Sequence, residues 1–261
     1  MIAPDLAFAL LINRTSDFYQ AYPPVYMTYV ERTHVTAPTL GRAQDINRSV
    51  AVRVSDNLAV MRDLPNGGAR VGQAFPIVAY FDPFSAFEFS YFANLKRVDI
   101  DLRRGQPLFL ATPPPDPSVN VVVPYNSFWN SRYASDSTAA AIHLLIDPTP
   151  RVKGFYPSEV VEDSQTHLPS HIEMRATGSD DESIALDYKV IEGHWVITHG
   201  TFSATEHAVL LTFKVVADVT FSEIAFPTEA PDPRLAGSPA PPSASPAPAP
   251  AASAPPSPQP P

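Results

Sequence analysis

His207-Ala208-Val209-Leu210-Leu211-Thr212-Phe213-Lys214-Val215-Val216-Ala217-Asp218-Val219-Thr220-Phe221 is the stretch whose reading decides the fold. One parity carries Val209, Leu211, Phe213, Val215, Ala217, Val219 and Phe221; the other carries Leu210, Thr212, Lys214, Val216, Asp218 and Thr220. Successive side chains of a strand point to opposite faces, so alternation of this length predicts a long strand with one buried face. Upstream, Trp195 and Ile197 alternate with Val196 and Thr198. Before them Ile184, Leu186, Tyr188 and Val190 oppose Ala185, Asp187 and Lys189, and Ile172, Met174 and Ala176 oppose Glu173, Arg175 and Thr177. Turn signals separate these runs at Gly178-Ser179-Asp180-Asp181, Glu192-Gly193 and Ser203-Ala204-Thr205. Residues Phe155 to Phe226 therefore predict an up-and-down antiparallel sheet with one apolar face. Such a sheet must close on itself or bury that face under another element.

The turn that feeds this meander is Val161-Glu162-Asp163-Ser164-Gln165-Thr166-His167-Leu168-Pro169. A strand, a polar turn, a strand ending in Val190-Ile191-Glu192-Gly193, and Trp195 follow it. The arrangement resembles the lipoprotein-carrier superfamily, the LolA/LolB-like and outer-membrane lipoprotein-sorting proteins. There an aspartate-x-x-threonine-glycine-leucine-proline turn links two strands of an incomplete barrel. Asp163, Thr166, Leu168 and Pro169 match, and His167 stands in place of the glycine. The resemblance implies a half-barrel that binds acyl chains or lipoprotein lipid, outside the cytoplasm, without chemistry. Turn chemistry alone also accounts for these residues: Asp163 can close an Asx-turn, and Pro169 can open a strand where a missing N–H is tolerated.

Composition sets bounds. The chain has 261 residues, no cysteine and a net charge of -9. Without cysteine there is no disulfide framework and no thiolate ligand or nucleophile. The negative balance argues against nucleic acid, because phosphate contacts need clustered Lys and Arg. No apolar run reaches the length of a membrane span. Leu6 to Ile12 is apolar but preceded by Asp5. It reads as part of a helix over residues 5–20 with Leu6, Leu10 and Leu11 inward and Phe18 below them, or as the remnant of an export signal that is absent or truncated in this sequence.

A strand is predicted from Val25 to about Thr36, a second through Val50, Val52 and Val54, and a third from Leu58 to Met61 before the turn Pro65-Asn66-Gly67-Gly68. Tyr80, Phe81, Phe84, Phe87, Phe89, Tyr91 and Phe92 follow. Asp82-Pro83 is a good helix start, and Phe84, Phe87, Tyr91 and Leu95 fall at helical spacing. This segment reads as a helix that either plugs the open sheet or acts as a lid over an apolar cavity. Val98–Leu102 and Leu108–Leu110 predict a hairpin, and Val119–Val123 a short strand. Residues 124–138, with Tyr125, Phe128, Trp129 and Tyr133, predict a long aromatic loop, and Ala141–Ile146 a further strand. From residue 229 the chain is almost entirely Pro, Ala and Ser, which cannot build a core.

The predicted fold is thus mainly β with one or two helices: an incomplete antiparallel β-barrel, a half-barrel covered by helix, over residues 1–228, with a disordered Pro/Ala-rich tail over 229–261. No nucleophile elbow, metalloprotease motif or phosphate loop is present. The protein is read as no enzyme, with no cofactor and no metal. The histidines pair poorly: His194 and His199, five apart on a strand, point to opposite faces unless a bulge intervenes, while His199 with His207, or His167 with His171, supply only two ligands. The expected activity is non-enzymatic binding of a hydrophobic ligand, a lipid or lipoprotein, by a periplasmic or secreted monomer. The expected lining is Tyr29, Val52, Phe84, Phe87, Tyr91, Ile184, Leu186, Trp195, Leu211 and Phe213, with Val209 on the same parity. The alternative is a structural or protein-interaction module whose barrel is filled by its own side chains and whose aromatic loop 124–133 and tail meet partners.

Overall fold

The computed structural model describes residues 2–21, 24–74, 77, 97–101, 108–112, 121–124, 128–138, 141–150, 152, 154–179, 181–208 and 211–237. One α-helix, α1 (Pro4–Ala21), precedes the strands β1 (Tyr26–Ala37), β2 (Arg42–Arg53), β3 (Leu58–Asp63) and β4 (Ala69–Gln73). Then come β5 (Arg97–Asp101), β6 (Leu108–Thr112), β7 (Val121–Pro124), β8 (Trp129–Tyr133) and β9 (His143–Pro148). The meander follows as β10 (Phe155–Glu162), β11 (Pro169–Ala176), β12 (Ser183–Ile191), β13 (His194–Ala208) and β14 (Leu211–Ala225).

Eleven strands form one antiparallel sheet in the order β4-β3-β2-β1-β14-β13-β12-β11-β10-β9-β8, and β5-β6-β7 form a separate three-stranded sheet. The large sheet does not close. Its first strand lies beside its last, because β1 pairs with β14 along most of its length. Alternation then fixes one inner face. Met27, Tyr29 and Glu31 on β1 lie opposite Val52, Val50 and Arg48 on β2, and Glu31 and Thr33 lie opposite Phe221 and Val219 on β14. The same face continues through Ile197, Trp195, Tyr188, Leu186, Ile172, Val160, Leu144 and Trp129, all buried.

The helix covers this face. Ala7, Phe8, Leu11, Ile12 and Thr15 form a buried stripe at helical spacing, with Ala9 buried beside it. This corrects the expected register: Leu11 is inward as predicted, but Leu6 and Leu10 are only half-buried. The Phe18 side chain lies outside the described residues. Phe8 meets Trp129 edge to face at 5.6 Å. Residues from β3 at one end of the sheet and from β8 and β9 at the other share one core cluster with α1, so the sheet wraps around the helix. Asp5 also closes an edge. Its Oδ1 accepts the Ser131 N–H of edge strand β8 at 3.0 Å, a donor that would otherwise invite another strand.

Two bulges shape the inner face, besides two register irregularities between β10 and β11. Between Asp187 and Tyr188 the pairing with β13 slips by one residue, leaving Thr198 over, and a second irregularity sits between Thr28 and Val30 opposite Glu223, whose φ is +54°. A bulge sharpens twist and re-aims the side chains beyond it. On β13 it moves the inward parity from Trp195 and Ile197 to Gly200 and Phe202. The Ile197 N–H donates to the Ile77 carbonyl at 2.8 Å, which draws that fully buried residue onto the inner face.

Several expectations change. Ser203, Ala204 and Thr205 are not a turn; they pair with Val216, Val215 and Lys214 within β13 and β14, and the hairpin falls between Ala208 and Leu211. Alternation continues across them, which is why the long strand's true start was hidden. The predicted loop 124–138 contains edge strand β8, and Phe128 and Trp129 are fully buried rather than displayed. The predicted hairpin of β5 and β6 is present, with β7 as its third strand. The predicted helix over residues 82–95 lies outside the described residues. The predicted tail is described as far as Gly237. There, Leu235 is fully buried, its 3-10 turn Pro233–Leu235 touches β3, and Arg53 Nη1 donates to the carbonyls of Leu235 (3.1 Å) and Gly237 (2.9 Å). Residues 229–237 are thus a strap on the outer face of β1 to β3.

The 163–169 turn is built as its residues suggest. Asp163 Oδ1 accepts from the N–H groups of Gln165 (3.1 Å) and Thr166 (2.7 Å) and from Thr166 Oγ1 (2.9 Å). His167 occupies the left-handed region at φ +56°, the conformation in which glycine is at ease. The Thr166 backbone and hydroxyl hydrogen bonds hold the Asp163 carboxyl below the usual carboxylate range. A carboxylate with a lowered folded pKa stabilises the fold above its unfolded pKa and loses that contribution as pH falls through the folded value. Asp163→Ala is therefore expected to cost about 1 kcal/mol at pH 7. The gap between parent and variant in urea midpoint should narrow below about pH 4; an equal gap at all pH values would remove the charge from the account.

Candidate functional site

The inner face divides into a filled part and an open part. Near the helix, Tyr29 and Val52 are 2% and 1% exposed, and Leu186 and Trp195 are 6% and 2% exposed. Trp195 stacks on Tyr188 with ring centres 4.4 Å apart, and its Nε1 donates to the Pro169 carbonyl at 2.9 Å. These four expected lining residues are core.

Beyond that layer the inner face continues along the long strands β1, β2, β13 and β14. A cavity of about 290 Å³ lies there, lined by Glu31, Thr33, Ile46, Arg48, Phe202, Val219 and Phe221. Every one of these sits on the inward parity of its strand. Small residues keep the wall low: Phe202 lies opposite Ala217, and Ala204 opposite Val215. Ile184, directly opposite Phe202, and Phe213, opposite Glu206, extend the same inward row and are partly buried. Of the remaining expected lining residues, Leu211 is described by its backbone alone, as the first residue of β14. Phe84, Phe87, Tyr91 and Val209 lie outside the described residues.

One ion pair faces this apolar space. Glu31 and Arg48 are direct cross-strand partners. Arg48 Nε donates to Glu31 Oε2 at 2.9 Å, Nη2 reaches both carboxylate oxygens at 2.8 Å, and Thr33 Oγ1 donates to Oε1 at 3.0 Å. The Glu31 side chain is 7% exposed and that of Arg48 is 20% exposed. A charge taken out of water is tolerated when paired and hydrogen-bonded in this way. Burial, with the Glu31 carboxylate adding, pushes the neighbouring Tyr29 hydroxyl far above its ordinary range, so it stays protonated. The strand parity that places Tyr29 inward places Glu31 and Thr33 there too; that was the available signal for the pair.

Larger cavities lie elsewhere and are built differently. One of about 370 Å³ sits by Thr149, Tyr156, Arg175 and Gly178 at the hairpin ends, and one of about 320 Å³ lies between the outer face and the strap at Pro231 and Asp232. Both mix polar backbone with surface charge. The concave site, unlike these two, combines an inward apolar wall with a buried polar anchor.

Among the described residues, no three His, Asp or Glu side chains converge to hold a metal ion. The bulge in β13 brings His194 and His199 to the same, outer face, which corrects the expectation of opposite faces; His194 packs on Phe226 and His199 on two carboxylates. His199 pairs with Thr220 and His207 with Thr212, so those two do not meet. Among the described residues, no helix is long and apolar enough to cross a membrane.

No family model matches the chain, and no curated protein matches it. Among solved structures the chain is similar to a DUF1329 family protein from Desulfovibrio piger, at 8% identity, 84% of this chain, 92% of that one and a TM-score of 0.41. It is similar to a LolA superfamily protein from Nitrosomonas europaea at 8% identity, with 84% and 92% covered and a TM-score of 0.36. It is also similar to a domain from Vibrio parahaemolyticus described as outer membrane lipoprotein-sorting, at 10% identity, with 83% and 92% covered and a TM-score of 0.37. The last two bear names of the superfamily that the Asp163–Pro169 turn resembles.

Proposed function

We propose that the protein binds a hydrophobic or amphipathic small molecule, such as an acyl chain or the lipid of a lipoprotein, on the concave face of its open sheet, without catalysing a reaction. The observation that carries this is the apolar cavity of about 290 Å³ above the filled core, at the lower end of the size range of ligand pockets. Its apolar wall supplies binding by burial, at roughly 25 cal/mol per Å² removed from water. The Glu31–Arg48 pair supplies orientation. Arg48 is 20% exposed and spends Nε and Nη2 on Glu31, so its guanidinium is placed to meet a polar head group on the ligand at the wall. An extracytoplasmic setting and a monomeric state go with this reading.

A charged side chain in the wall tests it. Val219→Glu is expected to weaken binding of a neutral fluorescent apolar probe at least tenfold, about 1.4 kcal/mol, while an exposed outer-face change on β2, Asn47→Glu, leaves binding unaltered. Native mass spectrometry of the protein purified from a bacterial host would show whether an acyl species travels with it. If both variants bind the probe like the parent, or the parent takes up none, the cavity is not a ligand site.

A further inference from the structure

The outer face of the same strands carries an alternating row of histidines and aspartates. His171 on β11, Asp187 on β12 and His199 on β13 are direct cross-strand partners in sequence. Asp218 on β14 stands one step along, opposite His34 on β1, which is opposite Asp45 on β2. His171 Nδ1 lies 2.6 Å from Asp187 Oδ1, and His34 Nδ1 lies 2.6 Å from Asp45 Oδ1.

His199 differs from the other two because both of its ring nitrogens face carboxylates. Nδ1 is 2.9 Å from Asp187 Oδ2 and Nε2 is 3.0 Å from Asp218 Oδ2. A neutral imidazole has one N–H and one lone pair. It can serve one of these carboxylates and must turn its lone pair on the other. The imidazolium donates to both and ties β12, β13 and β14 together. Other charged groups stand further off: Lys189 on β12, His171 behind Asp187, Arg32 and His34 on β1 behind Asp218, with Thr201 and Thr220 as the neutral neighbours on β13 and β14. The hydrogen bond to Asp218 raises the His199 pKa from its ordinary value, burial opposes this, and the hydrogen bond to Asp187 adds to the rise. Burial would raise Asp187, but the hydrogen bonds from His171 and His199 outweigh it and carry its carboxyl below the usual range. Asp187 therefore stays ionised while His199 titrates.

We propose that His199 is a proton-operated clasp that regulates the concave cavity, an inference that rests on the ligand-binding reading of that cavity. The residues behind the clasp are the cavity wall. Three positions from His199 on β13 is Phe202, and next to Asp218 on β14 is Val219, both facing the cavity. With His199 charged, the two strands are fixed from the outer face and the wall is pre-organised for a ligand. A group with a raised folded pKa stabilises the fold fully below its unfolded pKa, and that stabilisation is lost as pH rises through the folded value. The clasp is therefore closed in mildly acidic solution and opens as pH rises.

Two measurements on the full chain decide this. The first is an NMR titration of the His199 ring protons. The midpoint is expected above the ordinary histidine value of about 6.5, and Asp218→Asn is expected to lower it. A midpoint at or below the ordinary value overturns the clasp without any variant needing to fold. The second is the affinity for a neutral apolar dye at pH 6 and pH 8.5, chosen because the dye itself does not ionise. Binding is expected to weaken several-fold at the higher pH in the parent and to be flat in His199→Gln. A shifted titration with pH-independent binding overturns the regulatory role. A shifted titration with no binding at either pH sinks the ligand reading and the regulation with it, while the raised midpoint separates that failure from a failure of the clasp's chemistry.

Discussion

Trp195→Ala is expected to lower stability by about 3 to 5 kcal/mol, the cost of a large aromatic lost from a close-packed core. The indole is 2% exposed, stacks on Tyr188 at 4.4 Å and donates to the Pro169 carbonyl. Truncation removes the stacking partner and leaves that buried carbonyl without its donor, which adds to the cavity cost. Trp195→Phe keeps most of the volume and loses only the donor, so its cost is expected at about 1 to 2 kcal/mol. Urea unfolding of both variants measures the difference. A loss under about 1 kcal/mol for the alanine variant would mean that the indole borders an open space, as its place among the expected lining residues assumed.

Glu31→Ala is expected to cost about 2 to 4 kcal/mol, because removing one partner of a buried pair strands the other. Arg48 keeps some access to water, which places the effect at the lower side of that class. The informative comparison is with the double replacement Glu31→Leu and Arg48→Met. Replacing both charges by apolar groups of similar volume is often neutral or stabilising. A double-mutant cycle in urea then isolates the coupling between them. A near-neutral double variant would show that the pair is kept for what it does at the cavity wall rather than for the stability of the sheet. Two single variants that each cost nothing would show that both groups are already hydrated.

The meander was legible because its signal is local. Alternation on β12, β13 and β14 and the turn at Glu192-Gly193 depend on neighbours along the chain, and the open sheet with its apolar face follows from them. The Asp163–Pro169 turn was legible for the same reason: its hydrogen bonds run within a few residues. What was not legible depends on partners far away. Alternation continues through Ser203-Ala204-Thr205, so nothing local distinguished a turn from a strand that pairs with β14. Trp129 reads as a loop aromatic until Phe8, from the helix at the other end of the sequence, is set against it. The division of the inner face into core and cavity depends on what packs against each strand, which no parity count reveals. That is why Tyr29 and Trp195 were expected at the ligand while Phe202 and the Glu31–Arg48 pair were passed over. The His199 arrangement needed a bulge at Thr198 whose position the sequence does not mark.

The grip of Arg53 on the Leu235 and Gly237 carbonyls has a practical side for anyone labelling the molecule. The chain leaves residue 237 on the convex side, with the thickness of the sheet between it and the cavity wall. A fluorophore joined after residue 237 would stand as a reporter of the far surface, leaving the cavity free for its occupant. Changing Arg53 would loosen that mooring first, before any strand of the sheet is disturbed.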